Sequence, residues 1–439
     1  MAERVPRLAV LGASGLIGSA IATSLMAEGF EVVAVARHFT RAQKAAFGET
    51  AECRVTELGA AGLANLLLEQ RIDIVVNCIG ALQEAPSATR RVDGQLIVDL
   101  LKAFAGNVPA GMLIHLSIPG HAADDGTLFS RSKREVETLI SAGSVPHVVL
   151  RPGFVIAPNA YGGSALIRGL AALPLGLPKT LSARPFAAIA MSDLAETIGF
   201  IARRWAAGEK FAANWDVMER RPGQVGDVLA LFRRHFGGPD EWFALPNRLL
   251  GFGTIAGDLA GKLGWSPPIR TTALAEMRRG IAGDPLPWML ATGIEPKSAQ
   301  QALELLPAGV QENWFGRLFL LKALIVGGLA AFWIVSGLVA LTVAFDAATA
   351  TLATTGLPAS AARGLTLITS LLDIAIGVGI SMRKTARGAL IAGVAVALLY
   401  LVSATLLTPH LWIDPLGPLV KVGPAILLML VALAILEGR

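Results

Sequence analysis

The stretch Leu8-Ala9-Val10-Leu11-Gly12-Ala13-Ser14-Gly15-Leu16-Ile17-Gly18 decides the fold of the first half of the chain. Its first four residues are uniformly apolar, as a strand buried on both faces requires. The glycines predict a tight turn, and Leu16 and Ile17 open an apolar helix. In such a turn one glycine makes the bend, a second lets backbone amides approach an anion, and a third lets the helix pack on the strand. The helix N-terminus adds free N–H groups and the positive end of its dipole. Gly12, Ser14, Gly15, Leu16, Ile17 and Gly18 are therefore the expected contacts of a dinucleotide pyrophosphate. The spacing is Gly-x-x-Gly-x-x-Gly, not the commoner Gly-x-Gly-x-x-Gly.

The pattern continues downstream. Strands are expected at 8–11, 31–36, 51–55, 72–78, 112–116 and 148–150, with helices at 16–28, 60–70, 92–105 and 130–142. Such alternation builds an α/β fold, a doubly wound parallel sheet of the Rossmann type. The second strand runs into Arg37 and His38, with Arg41 a turn later. An acid at this point bonds ribose hydroxyls, whereas an arginine accommodates a 2′-phosphate. With no acid present, NADP is the expected cofactor and NAD the alternative. Cys53 and Cys78 both fall in strand-like segments and read as small buried hydrophobes, so neither a disulfide framework nor a metal site is expected.

At 439 residues the chain exceeds one ordinary domain. Its mean hydropathy of +0.57 and 16% charged residues depart from a soluble enzyme, where about 25% are charged. The apolar excess collects after Arg317, in stretches at 318–344, 365–382, 389–407 and 419–436. Each approaches or exceeds the roughly 20 residues that cross a bilayer as a helix. The expected organisation is an α/β domain with a small substrate lobe over 1–300, a linker at 301–317, and an all-α four-helix transmembrane domain over 318–439. Arg4 and Arg7 precede an apolar run, but the glycine periodicity argues against a cleaved leader.

The net charge of +5 comes without aromatics interleaved among the basic residues, which argues against a nucleic-acid partner. Basic residues instead mark membrane topology. Arg383, Lys384 and Arg387 crowd the segment between the second and third apolar stretches, whereas 408–418 holds Asp414 and no Lys or Arg. The positive-inside rule then predicts a multi-pass protein of the inner membrane with the N-terminal domain and the C-terminal Arg439 cytoplasmic. Trp314 and Trp412 fall near the expected interfaces. Asp373 lies within the second stretch, where a carboxylate is costly and so a functional candidate, with Lys421 as its expected partner.

Further pieces join the glycine turn: Asn77-Cys78-Ile79-Gly80, Ser117, Lys133, Arg151-Pro152-Gly153 and Asp193-Leu194-Ala195-Glu196. Together they resemble the extended and atypical branches of the short-chain dehydrogenase/reductase superfamily, over the first half of the chain. The resemblance implies that Asn77, Gly80 and Lys133 attend the ribose and nicotinamide side, and that Lys133 and Ser117 are the catalytic candidates. Active members place a Tyr four residues before the Lys, whose ammonium lowers the phenol's pKa so that it can pass a proton. Here that position is Phe129, and the chain's two tyrosines are Tyr161, in a loop, and Tyr400, in an apolar stretch.

Two readings stay open. Ser117, His121 or Ser130 takes over the proton, or the domain holds NADP(H) without ordinary carbonyl chemistry. The second matches the branch that resembles the NADPH-binding accessory subunit of respiratory complex I. His115, like His121, flanks the expected active strand end. The apolar stretches, with Asp414-Pro415-Leu416-Gly417-Pro418-Leu419-Val420-Lys421, are similar to the DoxX-like membrane family, which implies redox chemistry at the bilayer, in some members linked to quinones. The expected function is a membrane-tethered NAD(P)H oxidoreductase acting on a quinone or lipid-like acceptor. The alternative is a non-catalytic sensor or assembly factor for a membrane redox complex. Leu245, Leu249, Phe252, Ile255 and Leu259 recur at helical spacing, as in an ordinary packed helix, a lid, or a helix resting on the membrane.

Overall fold

A computed structural model describes residues 5–80, 86–106 and 111–436. The chain divides into two compact units, Met1–Thr254 with Pro268–Gly316, and Ile255–Pro267 with Arg317–Arg439.

In the first unit seven strands form one parallel sheet: β1 (Arg7–Leu11), β2 (Glu31–Ala36), β3 (Thr50–Glu52), β4 (Ile74–Asn77), β5 (Met112–Leu116), β6 (His147–Pro152) and β7 (Ala212–Val217). Their order is β7-β6-β5-β4-β1-β2-β3. Between them run α1 (Leu16–Ala27), α2 (Arg41–Phe47), α3 (Gly59–Glu69), α4 (Pro86–Gly106), α5 (Leu128–Ala142) and α6 (Met191–Ala206). Alternate residues of each strand feed opposite faces, as the period of two demands. Leu8, Val10, Val76 and Ile114 pack with Ile21 of α1 and Ile198 of α6. Ala9, Leu11, Val75 and Leu113 pack with Leu63, Leu100 and Val136 of α3, α4 and α5. Burial on both faces explains why the strands read as unbroken apolar runs.

The chain winds from β1 to β2 and β3 on one side, then returns to place β4 on the other. Leu11 accordingly pairs with Val35 of β2 and with Asn77 of β4. The reversal opens a crevice beyond the carboxyl ends of β1 and β4, where doubly wound sheets take their ligands. β7 extends the sheet past β6 and was not legible in the sequence, because Ala-Ala-Asn-Trp-Asp-Val lacks an apolar run.

The segment after α7 (Asn247–Lys262) differs from the expected linker: the helix α8 (Ala299–Glu304) occupies its start. Ser298 caps α8 by accepting from the Gln301 amide, and Ala302 and Leu303 are buried. The preceding Lys297 is held by the buried Asp193, which accepts from its backbone amide at 2.8 Å. The segment through Gly316 thus packs as part of the first unit.

Three helices, α9 (Val310–Leu341, in the second unit from Arg317 on), α10 (Ala359–Ser381) and α11 (Ala386–Leu407), are long and apolar enough to cross a membrane. The fourth stretch forms α12 (Val422–Ile435), shorter than expected because residues 418–421 are still in a turn. Its 14 residues span about 21 Å at 1.5 Å each, against a hydrocarbon core of about 30 Å. Arg439 lies outside the described residues. The helices approach closely through glycine: a Cβ at Gly337 would meet the Ser370 carbonyl oxygen at 2.5 Å, and one at Gly377 the Ala330 carbonyl oxygen at 2.8 Å. Small residues at helix crossings are the usual basis of packing in lipid, where apolar burial drives little.

Candidate functional site

The glycine turn sits at the crevice. Gly12 adopts φ +80°, and a Cβ there would lie 3.3 Å from the Cys78 carbonyl carbon at the end of β4. A Cβ at Gly18 would come within 2.4 Å of the Gly12 carbonyl oxygen, so only glycine lets α1 start this close to β1. The Gly15 amide closes the turn by donating to that same oxygen at 2.9 Å. α1 begins after Gly15 with no side chain capping it, and the next amides, of Leu16, Ile17 and Gly18, head the helix. The Ser14 carbonyl accepts from the Gln43 side chain at 3.3 Å, which fixes the loop to α2. A pyrophosphate fits this cradle: the space is one that side chains would fill, and the dipole favours an anion.

Arg37 is exposed where β2 ends, with Arg41 exposed at the start of α2. Neither has a hydrogen-bond or ion-pair partner among the described residues, so each guanidinium is available to an anionic ligand.

On the α5 side of the crevice, odd-numbered residues of β5 and the end of β4 turn toward the helix. Lys133 is buried, its amine donating to the carbonyls of Ile79 at 3.2 Å and Leu116 at 3.4 Å. A Cβ at Gly80 would lie 2.7 Å from that nitrogen. Asn77, Gly80 and Lys133 are thus brought together. Asn77 accepts from the Ile79 amide at 3.1 Å, which orients its NH2 toward His115 Nδ1 at 3.1 Å. The proton of His115 must then reside on Nε2, a buried atom without a hydrogen-bond partner among the described residues. Burial first, and the nearby Lys133 ammonium second, hold the imidazole well below its ordinary 6.5. His115 is therefore neutral at physiological pH.

The other proton-carrying candidates are distributed differently. Ser117 Oγ donates to Glu137 of α5 at 2.5 Å. Ser130 is buried within the cap of α5, bonded to Thr127. His121 is exposed. Tyr161 is half exposed just before the helix Gly162–Ala171. Phe129 stands one turn ahead of Lys133 and carries no hydroxyl.

Glu137, which the sequence reading missed, is the hub of a buried ionic network. Besides Ser117 it accepts from Arg134 at 3.0 Å and from both Nε and Nη2 of Arg151, at 3.1 and 2.6 Å. Arg134 also donates to the carbonyls of Ile118, Pro119 and Gly120 and pairs with Asp125 at 2.9 Å. Arg279 reaches the same loop from far along the chain, donating to the Pro119 carbonyl at 2.8 Å and pairing with Asp125 and Glu276. Glu276 in turn accepts from Thr127, the cap of α5. Two guanidiniums therefore hold the loop between Ser117 and α5 in one shape. The signal for Glu137 was its position one turn beyond Lys133 on the same helix face. Nothing local points to Arg279.

In the second unit Asp373 is buried, but its partner is not Lys421. It accepts from Tyr400 Oη of α11 at 3.0 Å, whereas Lys421 is exposed. Trp333 of α9 packs among Ile376, Met429 and Gly393, and its buried Nε1 has no partner among the described residues. No cluster of metal-ligating side chains occurs among the described residues.

Comparison with known proteins agrees with this division. Residues 8–162 match the model of the NAD dependent epimerase/dehydratase family, and residues 330–430 that of the DoxX-like family. The dTDP-6-deoxy-L-talose 4-dehydrogenase (NAD(P)(+)) of Kitasatospora kifunensis is 28% identical over 218 residues, covering 44% of this chain and 67% of that protein. Among solved structures, UDP-glucose 4-epimerase of Thermotoga maritima aligns with TM-score 0.52 at 14% identity, over 72% of this chain and 99% of that one. The Stenotrophomonas maltophila UDP-glucose-4-epimerase, solved with NAD, gives TM-score 0.53 at 14% identity, over 73% and 100%. The chain thus carries an epimerase/dehydratase-like Rossmann domain over residues 8–162 and a DoxX-like region over residues 330–430.

Proposed function

We propose that this chain is a membrane-tethered NAD(P)H-dependent oxidoreductase whose acceptor, a quinone or a lipid-like molecule, resides in the bilayer. The observation that carries the proposal is the uncapped, glycine-gated N-terminus of α1, facing the end of β4 with Lys133 at its edge, in a chain that also holds membrane-spanning helices. The amides of Gly15 to Gly18 bind the pyrophosphate, Arg37 the 2′-phosphate of NADP, and Asn77, Gly80 and Lys133 the ribose and nicotinamide side. The nicotinamide, when bound, supplies or accepts a hydride. Lys133 contributes a fixed positive charge that favours negative charge developing on an acceptor oxygen. Phe129 contributes no proton, so an acceptor that draws its proton from solvent or from Ser117 suits the site better than one needing a phenol. The basic residues Arg383 and Lys384 of the turn and Arg387 at the start of α11 support a cytoplasmic setting for that end of α10 in an inner membrane.

One pair of observations favours a second reading, a non-catalytic NADP(H) sensor or assembly factor. Phe129 replaces the proton carrier, and Ser117 is committed to Glu137. Equilibrium titration of the full-length chain in detergent with NADPH and NADH tests the shared premise. Saturable binding of both, tighter for NADPH, is expected; no saturable binding of either removes both readings.

A further inference from the structure

The helix α7 is built the wrong way round for a helix packed on a soluble domain. Leu249, Phe252, Ile255 and Leu259 recur along one side, as an apolar stripe should. Yet they are 53%, 71%, 65% and 59% exposed. The side turned inward carries Thr254, whose hydroxyl is spent on the Gly251 carbonyl, and Gly257. The large side chains thus face outward and the small ones inward, against the ordinary apolar drive. Arg248 and Lys262 are exposed near the two ends of the helix.

The segment that follows α7 is tied to the end of a membrane-span candidate. Within the second unit, the Leu263 carbonyl accepts from the Arg383 amide at 3.0 Å, and Trp265 Nε1 donates to the Ser381 carbonyl at 2.7 Å. The Arg383 guanidinium lies 5.6 Å over the Trp265 ring. Ser381 ends the span candidate α10, Arg383 and Lys384 lie in the turn after it, and Arg387 lies in the first turn of α11. Tryptophan and arginine at the end of a span are the residues that anchor at the headgroup level. With α10 crossing a bilayer, the C-terminal part of the stripe, Ile255 and Leu259, would lead into the headgroup level at which Trp265 and Arg383 anchor.

We propose that α7 is an interfacial helix, its Leu249, Phe252, Ile255 and Leu259 sunk into the anionic leaflet beside the basic turn at the end of α10. An amphipathic helix of this composition binds by apolar burial together with attraction of its basic residues to anionic lipid. Membrane crossing by α10 is required for this placement; a bound cofactor is not.

Spin labels read the depth of the stripe. Cysteines are introduced singly as Phe252→Cys, Ile255→Cys and Leu259→Cys, with Lys210→Cys as an exposed reference, in a full-length chain carrying Cys53→Ala and Cys78→Ala. The chains are reconstituted in vesicles of phosphatidylcholine and phosphatidylglycerol. Relaxation by dissolved oxygen and by a water-soluble nickel chelate is then measured at each site. The expected result is strong oxygen relaxation at the three stripe positions and loss of most of the nickel relaxation seen at Lys210→Cys. Nickel relaxation equal to that at Lys210→Cys overturns the proposal. So does shielding from both reagents with dipolar broadening between labels, which makes a second copy of the chain the occupant. Should the double alanine parent fail to elute as the native chain does, the same positions are read in the native background by their rate with a charged thiol reagent, after subtracting the Cys53 and Cys78 reaction. Rates at a small fraction of that at Lys210→Cys are expected, and equal rates overturn the proposal.

Discussion

Replacing Gly18 by alanine tests the cradle with a single methyl group. The new Cβ falls 2.4 Å from the Gly12 carbonyl oxygen and 2.8 Å from its carbonyl carbon, where ordinary contact begins at 3.4 Å. Turn and helix must therefore separate by about 1 Å, and both sides of the contact are backbone. The Gly12 oxygen is not free to move alone, because it accepts from Gly15, while the Gly12 amide is tied to the Val35 carbonyl at 2.9 Å. Overpacking of this kind costs about 1–3 kcal/mol. If the free protein keeps the native turn, the cost appears as a lower melting temperature. If the turn relaxes, binding must restore it, and the dissociation constant for NADPH rises by about 5- to 150-fold, at 1.4 kcal/mol per factor of ten. Calorimetric titration and a thermal melt of the detergent-solubilised chain measure the two parts, which together must fall in that range. Gly251→Ala is the control, since nothing lies within 4 Å of its Cβ and a helix gains about 0.5–1 kcal/mol from the change. A Gly18→Ala chain that melts and binds NADPH as the wild type does would refute the reasoning.

Three further outcomes are expected. Arg37→Ala weakens NADPH about tenfold, as loss of one charge-assisted contact at an exposed site implies, and leaves NADH unchanged; equal effects on the two cofactors would detach Arg37 from the 2′-phosphate. Glu137→Gln, which leaves Arg151 and Arg134 short of a buried counter-charge, destabilises by about 2–4 kcal/mol in a denaturation series, the upper limit reduced because both guanidiniums keep some solvent. His115 has its pKa depressed in the folded chain, so its contribution is present above pH 6.5 and is lost as the pH falls below it, when the unfolded chain takes up a proton that the buried ring refuses. Thermal melts of wild type and His115→Gln should therefore converge below pH 6.5 by up to about 1.4 kcal/mol per pH unit, and parallel curves would count against the buried neutral imidazole.

What was legible in the sequence was local. The strand, turn and helix from Leu8 to Gly18 lie within one short segment whose chemistry leaves little choice, and the apolar stretches after Arg317 announce themselves by length. Asn77, Gly80 and Lys133 lie beside one another because Asn77 ends β4, Gly80 follows it, and Lys133 projects from α5 to the Ile79 carbonyl, a proximity that the resemblance implied and no local pattern encodes. The Glu137 network was not legible, since Arg279 meets Pro119 across 160 residues and no local pattern encodes that contact. The pairing of Asp373 with Tyr400 depends on how α10 and α11 are staggered, which composition does not record. α8 was missed although Ser298-x-x-Gln301 is a capping box in plain view. For α7 the spacing was visible, but only the structure reveals that its apolar side faces out.

The most direct test of the central claim is single-turnover oxidation of bound NADPH in the detergent-solubilised full-length chain, followed by absorbance with and without a short-chain quinone. The account predicts quinone-dependent loss of NADPH that disappears in Lys133→Ala at saturating cofactor. Tight binding with no loss of NADPH, against the quinone or a panel of carbonyl compounds, would contradict it and leave the sensor or assembly role.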